Sequence, residues 1–125
     1  MNKPNIIHCY SRGQAIDDGF LVDVTHTAKE AGFKYAVALT HAVWSSCVEV
    51  PPGVEGQDEA GRLWDILTML RHAVWRNNAG NVIAFRLHVR NDNHNVTPPL
   101  IELKAVCGPS DDGSPCVTIM EPCED

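Results

Sequence analysis

The sequence lacks the features that mark membrane and secreted proteins. None of its apolar runs approaches the roughly 18 residues that a transmembrane helix needs. The opening stretch MNKPNIIHCY does not contain the long apolar core of a signal peptide. The five cysteines are odd in number and irregularly spaced, which suits neither a disulfide framework nor a structural zinc site. We therefore expect a cytoplasmic protein with reduced thiols and no bound metal, in which Cys47, Cys107 and Cys116 are small core residues.

Positive charge is also scarce. The 125 residues include 10 lysines and arginines against 16 aspartates and glutamates, which gives a formal net charge of −6. Binding to nucleic acid or to an anionic membrane depends on clustered cations, so neither direct nucleic-acid binding nor membrane association is expected. The apolar fraction of 44% is ordinary for a globular chain, and we expect one domain spanning residues 1–125.

No catalytic or cofactor motif is present in the sequence. Asp65, Thr68 and His72 share one side of a predicted helix, and an Asp–His pair at this spacing can orient a base. No motif attaches a nucleophile to the pair, and exposed helices carry such pairs by chance. We expect these side chains to form a solvated face, and we predict no catalytic residue and no cofactor.

The clearest predicted element is an amphipathic helix from Asp58 to Arg76. Acidic residues stand in its first turn and basic residues near its end, as the helix dipole favours. One broad apolar arc contains Ala60, Leu63, Ile66, Leu67, Leu70, Ala73 and Val74. The opposite arc, predicted to face solvent, contains Asp58, Arg62, Asp65, His72 and Arg76.

After this helix, apolar residues recur about every second position, as in a half-buried strand. Residues 82–90, 100–107 and 116–120 are separated by turn sequences and predict an antiparallel meander of three strands. Its apolar face includes Ile83, Phe85, Leu87 and Val89, and its other face carries a basic stripe of Arg86, His88 and Arg90. The predicted fold class is α+β, with an antiparallel sheet packed against one long helix and several short helices.

The first half of the chain predicts short elements. Strands are predicted at residues 5–9, 20–24 and 35–39, and short helices at 11–18, 25–31 and 41–47. Ser11, either Thr25 or Thr27, and Thr40 are the predicted helix caps. The N-terminal strands either extend the sheet of the meander or form a small second sheet, and the sequence allows both.

Two tryptophans mark one edge of the long helix. Eleven residues at 100° each return to within about 20° of the start, so Trp64 and Trp75 align, with Thr68 and Arg71 beside them. Tryptophan often lies at the rim of a core, and an arginine stem can pack along its ring. Tryptophan and arginine are also the residues most enriched at interface hot spots. We predict a partner-binding patch here, with a core rim and a ligand pocket as the alternatives.

The segment IIHCYSR, residues 6–12, places a strand histidine before a turn and a helix that ends in Asp-Gly. In this order it resembles the opening of ADP-ribosyltransferase-type folds. That resemblance implies contacts of His8 and Tyr10 with a nicotinamide dinucleotide, and an alternative function as an NAD-binding enzyme. No matching catalytic glutamate is identified, and a partly buried strand histidine is the structural alternative.

Four longer segments are YSRGQAIDDGFLVDV, AKEAGF, QDEAGRLWDILTMLR and LKAVCGPSDDGSPCVTIM. Together they resemble a family of small uncharacterised cytoplasmic proteins encoded on bacterial plasmids and integrative conjugative elements. The resemblance implies an accessory protein of a mobile genetic element and transfers no catalytic residue. Because such elements often carry proteins that disable host defences, the leading expectation is non-enzymatic protein binding, as in inhibitors of the anti-CRISPR or anti-restriction type.

Overall fold

Short helices and strands alternate in the first part of the chain, and one long helix precedes the meander. The computed structural model describes residues 11–76, 80–93 and 96–124, so the predicted strand at 5–9 lies outside the described residues. The helices are α1 (Arg12–Asp17), α2 (Thr25–Glu30), α3 (His41–Val43) with a π-helical turn at Trp44–Val48, and α4 (Glu59–Arg76). The strands are β1 (Leu21–Asp23), β2 (Ala36–Thr40), β3 (Val82–His88), β4 (Leu100–Pro109) and β5 (Pro115–Met120).

The described strands of both halves belong to one sheet, which answers for β1 and β2 the question that the sequence left open. Its order is β1-β2-β5-β4-β3, and the predicted meander β3-β4-β5 is confirmed as antiparallel. The junction between the halves is different, because β2 pairs with β5 in parallel, with Val37 opposite Val117 and Leu39 opposite Ile119. Strands that run in the same direction need a long connection between them, and α4 lies in the connection that follows β2.

The core lies between α4 and one face of this sheet. Leu63, Ile66, Leu67 and Leu70 are buried, as the apolar arc predicts, and Ala73 and Val74 are half-buried. From the sheet they meet Phe85 and Leu87 of the predicted apolar face, together with Leu103 and Ile119 of the neighbouring strands. The α+β layer arrangement is therefore confirmed.

The other face of the sheet is partly covered by α1. Ser11 caps this helix as predicted, since its hydroxyl accepts the Gln14 N–H at 3.0 Å. The Asp111 carboxylate, from the β4–β5 turn, accepts the backbone N–H groups of Arg12 and Gly13 at 2.8 and 3.0 Å. The Arg12 guanidinium then donates to Thr118 Oγ1 at 2.7 Å, which ties α1 to β5.

Three local predictions are wrong. Helix α2 begins at Thr25 and no side chain caps it; the Thr25 hydroxyl donates to the Asp23 carboxylate instead. Ala60, in the first turn of α4, is exposed rather than buried. Cys107 is exposed, although Ala105 on the same strand and Val117 on the adjacent strand lie on the same face of the sheet. The reason is that Cys107 lines a groove at the end of α4.

Arg62 was expected on the solvent side of α4, and that prediction is also wrong: the residue is only 6% exposed. Its Nε–H donates to the Cys47 carbonyl at 2.9 Å, one Nη–H to the Arg90 carbonyl, and another to Asn91 Oδ1 at 2.6 Å. Burial lowers the pKa of this guanidinium below its ordinary value. The π-helical turn and the end of β3 close over the start of α4 here, which a helical pattern read in isolation does not reveal.

We expect Arg62→Met to reduce the free energy of unfolding by about 2–4 kcal/mol, because it leaves buried carbonyl groups without donors while keeping most of the side-chain volume. Urea denaturation monitored by circular dichroism measures this change. Arg76→Met, on the exposed side of the same helix, serves as the control and should stay within about 0.5 kcal/mol of the wild type. Equal stabilities for the two variants would contradict a structural role for Arg62.

Candidate partner-binding surface

The four predicted binding residues lie together on the flank of α4 that faces α2. We call Trp64, Thr68, Arg71 and Trp75 the tryptophan row. They share an open groove of about 300 Å³ with Ala31, at the end of α2. Trp64 is 43% exposed and Trp75 is 79% exposed, so solvent reaches both indoles. The row is therefore accessible to another molecule, and its role in binding stays a prediction.

Arg71 is held in place by backbone groups. Its Nη1–H donates to the Ala31 carbonyl at 3.0 Å, and its guanidinium carbon lies 5.9 Å from the centre of the Trp75 ring, within cation–π range. The backbone beside it is Gly32, whose φ of +103° favours glycine. A Cβ at this position would lie only 2.6 Å from Arg71 Cζ, so the guanidinium packs directly onto the glycine. The fold thus fixes the position of the Arg71 guanidinium within the tryptophan row.

A second groove, which the sequence did not predict, adjoins the other side of Arg71. It has a volume of about 450 Å³ and is lined mainly by apolar and aromatic side chains, including Phe33, Tyr35, Val74 and Trp75. We call it the Tyr35 groove. Tyr35 was predicted as the first residue of the strand at 35–39, but it precedes β2 and is 48% exposed. The signal in the sequence is an aromatic residue just before a buried apolar strand, which is also a common pattern for the strand itself.

Both grooves are locally positive although the chain is acidic. The charged or titratable nitrogen side chains that line them are Lys34, Arg71 and His72. No aspartate or glutamate of the described residues lines either groove, whereas the whole chain has a net charge of −6. Because Arg71 donates to a neutral carbonyl, its positive charge is positioned there without being neutralised. A partner with carboxylates at its contact surface would complement these grooves.

The enzymatic alternatives involve two pairs of residues, Asp65 with His72 and His8 with Tyr10. Neither a hydrogen bond nor an ion pair joins Asp65 to His72 in the part of the chain that the structure describes. His8 and Tyr10, the residues implied in dinucleotide binding, lie outside the described residues.

The four cysteines that the structure describes do not gather into a site. Cys47, Cys107, Cys116 and Cys123 are all free thiols, and burial raises the pKa of Cys47 above its ordinary value. Across residues 11–76, 80–93 and 96–124, no three His, Cys, Asp or Glu side chains are placed to hold a metal ion. In the same ranges, no helix has the length and apolar character needed to span a membrane.

The fold and the grooves together define a small α+β protein with an open surface of aromatic and basic side chains. Over residues 1–125 the chain matches a family described as a family of unknown function, DUF6573, and it belongs to that family. No curated protein and no solved structure matches it. The resemblance to an uncharacterised family is thereby confirmed.

We expect Gly32→Ala to destabilise the protein by about 2–3 kcal/mol, because the new Cβ strains the backbone and displaces Arg71 from the Ala31 carbonyl. Gly53→Ala is the matched control, since Gly53 has a φ of +84° and nothing lies within 4 Å of its added Cβ. Gly53→Ala should lower the free energy of unfolding only through backbone strain, by about 1–2 kcal/mol. Chemical denaturation of both variants measures the difference.

The same pair of variants tests the contact itself when Arg71 is removed. In an Arg71→Ala background, Gly32→Ala should cost no more than Gly53→Ala, because no guanidinium remains to be displaced. A Gly32→Ala penalty that is unchanged by the loss of Arg71 would show that the two residues do not interact.

Proposed function

We propose that this protein is a non-enzymatic binding protein that recognises a partner protein through the tryptophan row and the adjoining Tyr35 groove. The observation that carries the proposal is the exposure of Trp64 and Trp75, at 43% and 79%, in one row with a fixed arginine between them. Large aromatic and arginine side chains dominate the binding energy of protein interfaces. A surface whose side chains are already ordered loses less conformational entropy on binding.

The chemistry of the grooves favours a partner whose contact surface combines apolar side chains with carboxylates. The apolar lining of the Tyr35 groove can take an apolar anchor, and Lys34 and Arg71 at its border can pair with acidic groups. The negative charge of the rest of the chain disfavours a uniformly acidic partner such as nucleic acid. A protein with a mixed apolar and acidic patch fits both observations.

The setting we propose is the bacterial cytoplasm, as an accessory protein of a mobile genetic element. The four segments that resemble proteins encoded on plasmids and integrative conjugative elements support this setting, and the free thiols at the described cysteines are compatible with a reducing compartment. Within it, we propose a role as an inhibitor of bacterial defence, of the anti-CRISPR or anti-restriction type. The absence of any recognisable catalytic motif makes stoichiometric binding the simplest mode of action.

We expect Trp75→Ala to weaken binding to the partner by about tenfold or more while leaving the fold intact, because this indole is mostly in solvent. Trp64→Ala should weaken binding similarly at a modest cost in stability, because Trp64 is more buried. Partners are first captured on the immobilised wild-type protein and identified by mass spectrometry. Affinities of the variants for the purified partner are then measured by calorimetry.

Phe20→Ala is the matched control, because Phe20 is an exposed aromatic residue, 63% exposed, outside both grooves. It should bind the partner like the wild type. If all three variants bind equally well, the tryptophan row is not the binding surface. If both tryptophan variants fail to fold, the row is part of the core and the proposal is wrong.

The enzymatic alternative makes a separate prediction. A binding protein without NAD chemistry should give no heat of binding and no thermal shift with nicotinamide adenine dinucleotide. Calorimetry and thermal unfolding in the presence of the dinucleotide measure both. Saturable binding that is lost in His8→Ala and Tyr10→Ala would favour the ADP-ribosyltransferase-like function instead.

A further inference from the structure

Strand β3 is an edge strand that pairs with β4 on one side only, among the described residues. It runs for seven residues, Val82–His88, and its length makes the free side a substantial template for pairing. Its side chains alternate between the core and the second face of the sheet, with Phe85 and Leu87 buried and Arg86 and His88 exposed. An edge of this kind needs an explanation, because long exposed edges promote association.

The register identifies which backbone groups of β3 do not pair with β4. The Cys107 N–H donates to the Asn81 carbonyl at 2.8 Å, and the Val89 N–H donates to the Pro99 carbonyl at 3.1 Å. Antiparallel pairing alternates, so the odd-numbered residues from 81 to 89 direct their N–H and C=O groups toward β4. The even-numbered residues direct theirs to the free edge, and none of the described residues pairs with them. These residues are Val82, Ala84, Arg86 and His88.

A groove of about 490 Å³ follows this free edge. Its wall on the α4 side is formed by Met69, His72, Ala73 and Arg76, and its wall on the strand side includes Phe85 and Arg86. Met69 is 38% exposed there, so the groove offers apolar contact beside the unpaired backbone groups. By helical geometry Met69 lies about 140° around α4 from Trp64, which places this groove on the flank opposite the tryptophan row.

The charges along the free edge of β3 favour some binding partners over others. Arg76 and Arg86 border the groove, and Lys104 lies on β4 opposite Ala84. The acidic residue that lines the groove is Glu102, which pairs with Arg86 at 3.4 Å. A second copy of the chain, paired symmetrically about Phe85, would place the two Arg86 side chains diagonally across from each other, which is unfavourable. An extended segment with acidic side chains matches the edge in both hydrogen bonding and charge.

We propose that the free edge of β3 binds an extended acidic segment of a partner protein as an additional strand of the sheet. Main-chain hydrogen bonds to Ala84, Arg86 and their even-numbered neighbours supply the affinity, and Arg76 and Arg86 select for carboxylates. The same two cations disfavour neutral or basic strands, which limits unspecific association at this edge. This groove shares His72 with the groove of the tryptophan row but includes none of the four residues of the row, so either proposal can fail without the other.

The test uses a synthetic peptide of alternating glutamate and valine, as long as β3, and a matched peptide of alternating lysine and valine. The glutamate peptide should bind the wild type at least about tenfold more tightly in fluorescence anisotropy. Binding should slow hydrogen exchange at the amides of Ala84, Arg86 and His88, measured by NMR, by about tenfold or more. Amides of the odd-numbered residues, already paired with β4, should change less.

Ala84→Pro removes an outward N–H that the sheet does not use, so the variant should fold and yet lose about tenfold in affinity for the glutamate peptide. Ala84→Thr keeps the N–H and should bind like the wild type. Arg86→Glu should shift the preference toward the lysine peptide, which provides a second test if the proline variant does not fold.

The proposal is overturned if the two peptides bind equally, or if neither slows exchange at the outward amides. Slow exchange at these amides in the free protein would also overturn it, because the edge would then already be covered. A dimer in light scattering that Ala84→Pro converts to a monomer would identify a second copy of the chain as the occupant, and would overturn the acidic segment.

Discussion

The structure depends on the burial of one face of α4 against the sheet. Leu63, Ile66, Leu67 and Leu70 are at most 7% exposed, and each contributes about 1.5–3 kcal/mol by leaving water. An α-helix is stiff and turns by a fixed angle at each residue, so seating these four side chains also fixes the direction of every other one. The tryptophan row must then face α2, and the opposite flank must face the edge of β3. Both surfaces are consequences of one packing constraint.

The periodicity of the sequence was enough to predict that α4 packs on the sheet. It did not predict contacts between segments that lie far apart in the chain. The apolar repeat of α4 and the alternation in β3 and β4 are local, and they predicted the helix, the meander and the layer arrangement. The parallel pairing of β2 with β5 joins residues far apart in the chain, such as Val37 and Val117, and no local pattern records it. The burial of Arg62 likewise depends on Cys47 and Arg90, which reach it only in the folded chain.

The candidate surface could be predicted in part for the same reason. The tryptophan row follows from helical spacing alone, since its members share one helix. The Tyr35 groove could not be predicted, because Phe33 and Tyr35 come together with Val74 and Trp75 only when α2 and β2 pack beside α4. Gly32 is the clearest example of a contact that the sequence does not predict. Its sequence context suggests only the end of a helix, whereas its close approach to Arg71 Cζ, at 2.6 Å for an added Cβ, requires the folded protein.

Arg62 and Arg71 are held in the same way in this acidic chain. Neither forms an ion pair with a carboxylate within the described residues; both donate to backbone carbonyls of a neighbouring segment. A neutral carbonyl orients a guanidinium but does not cancel its charge. For the buried Arg62 the result is a link between segments. Arg71 lies at an exposed groove, where the fold fixes the position of its guanidinium without neutralising the charge. Such a cation can attract a carboxylate of another molecule.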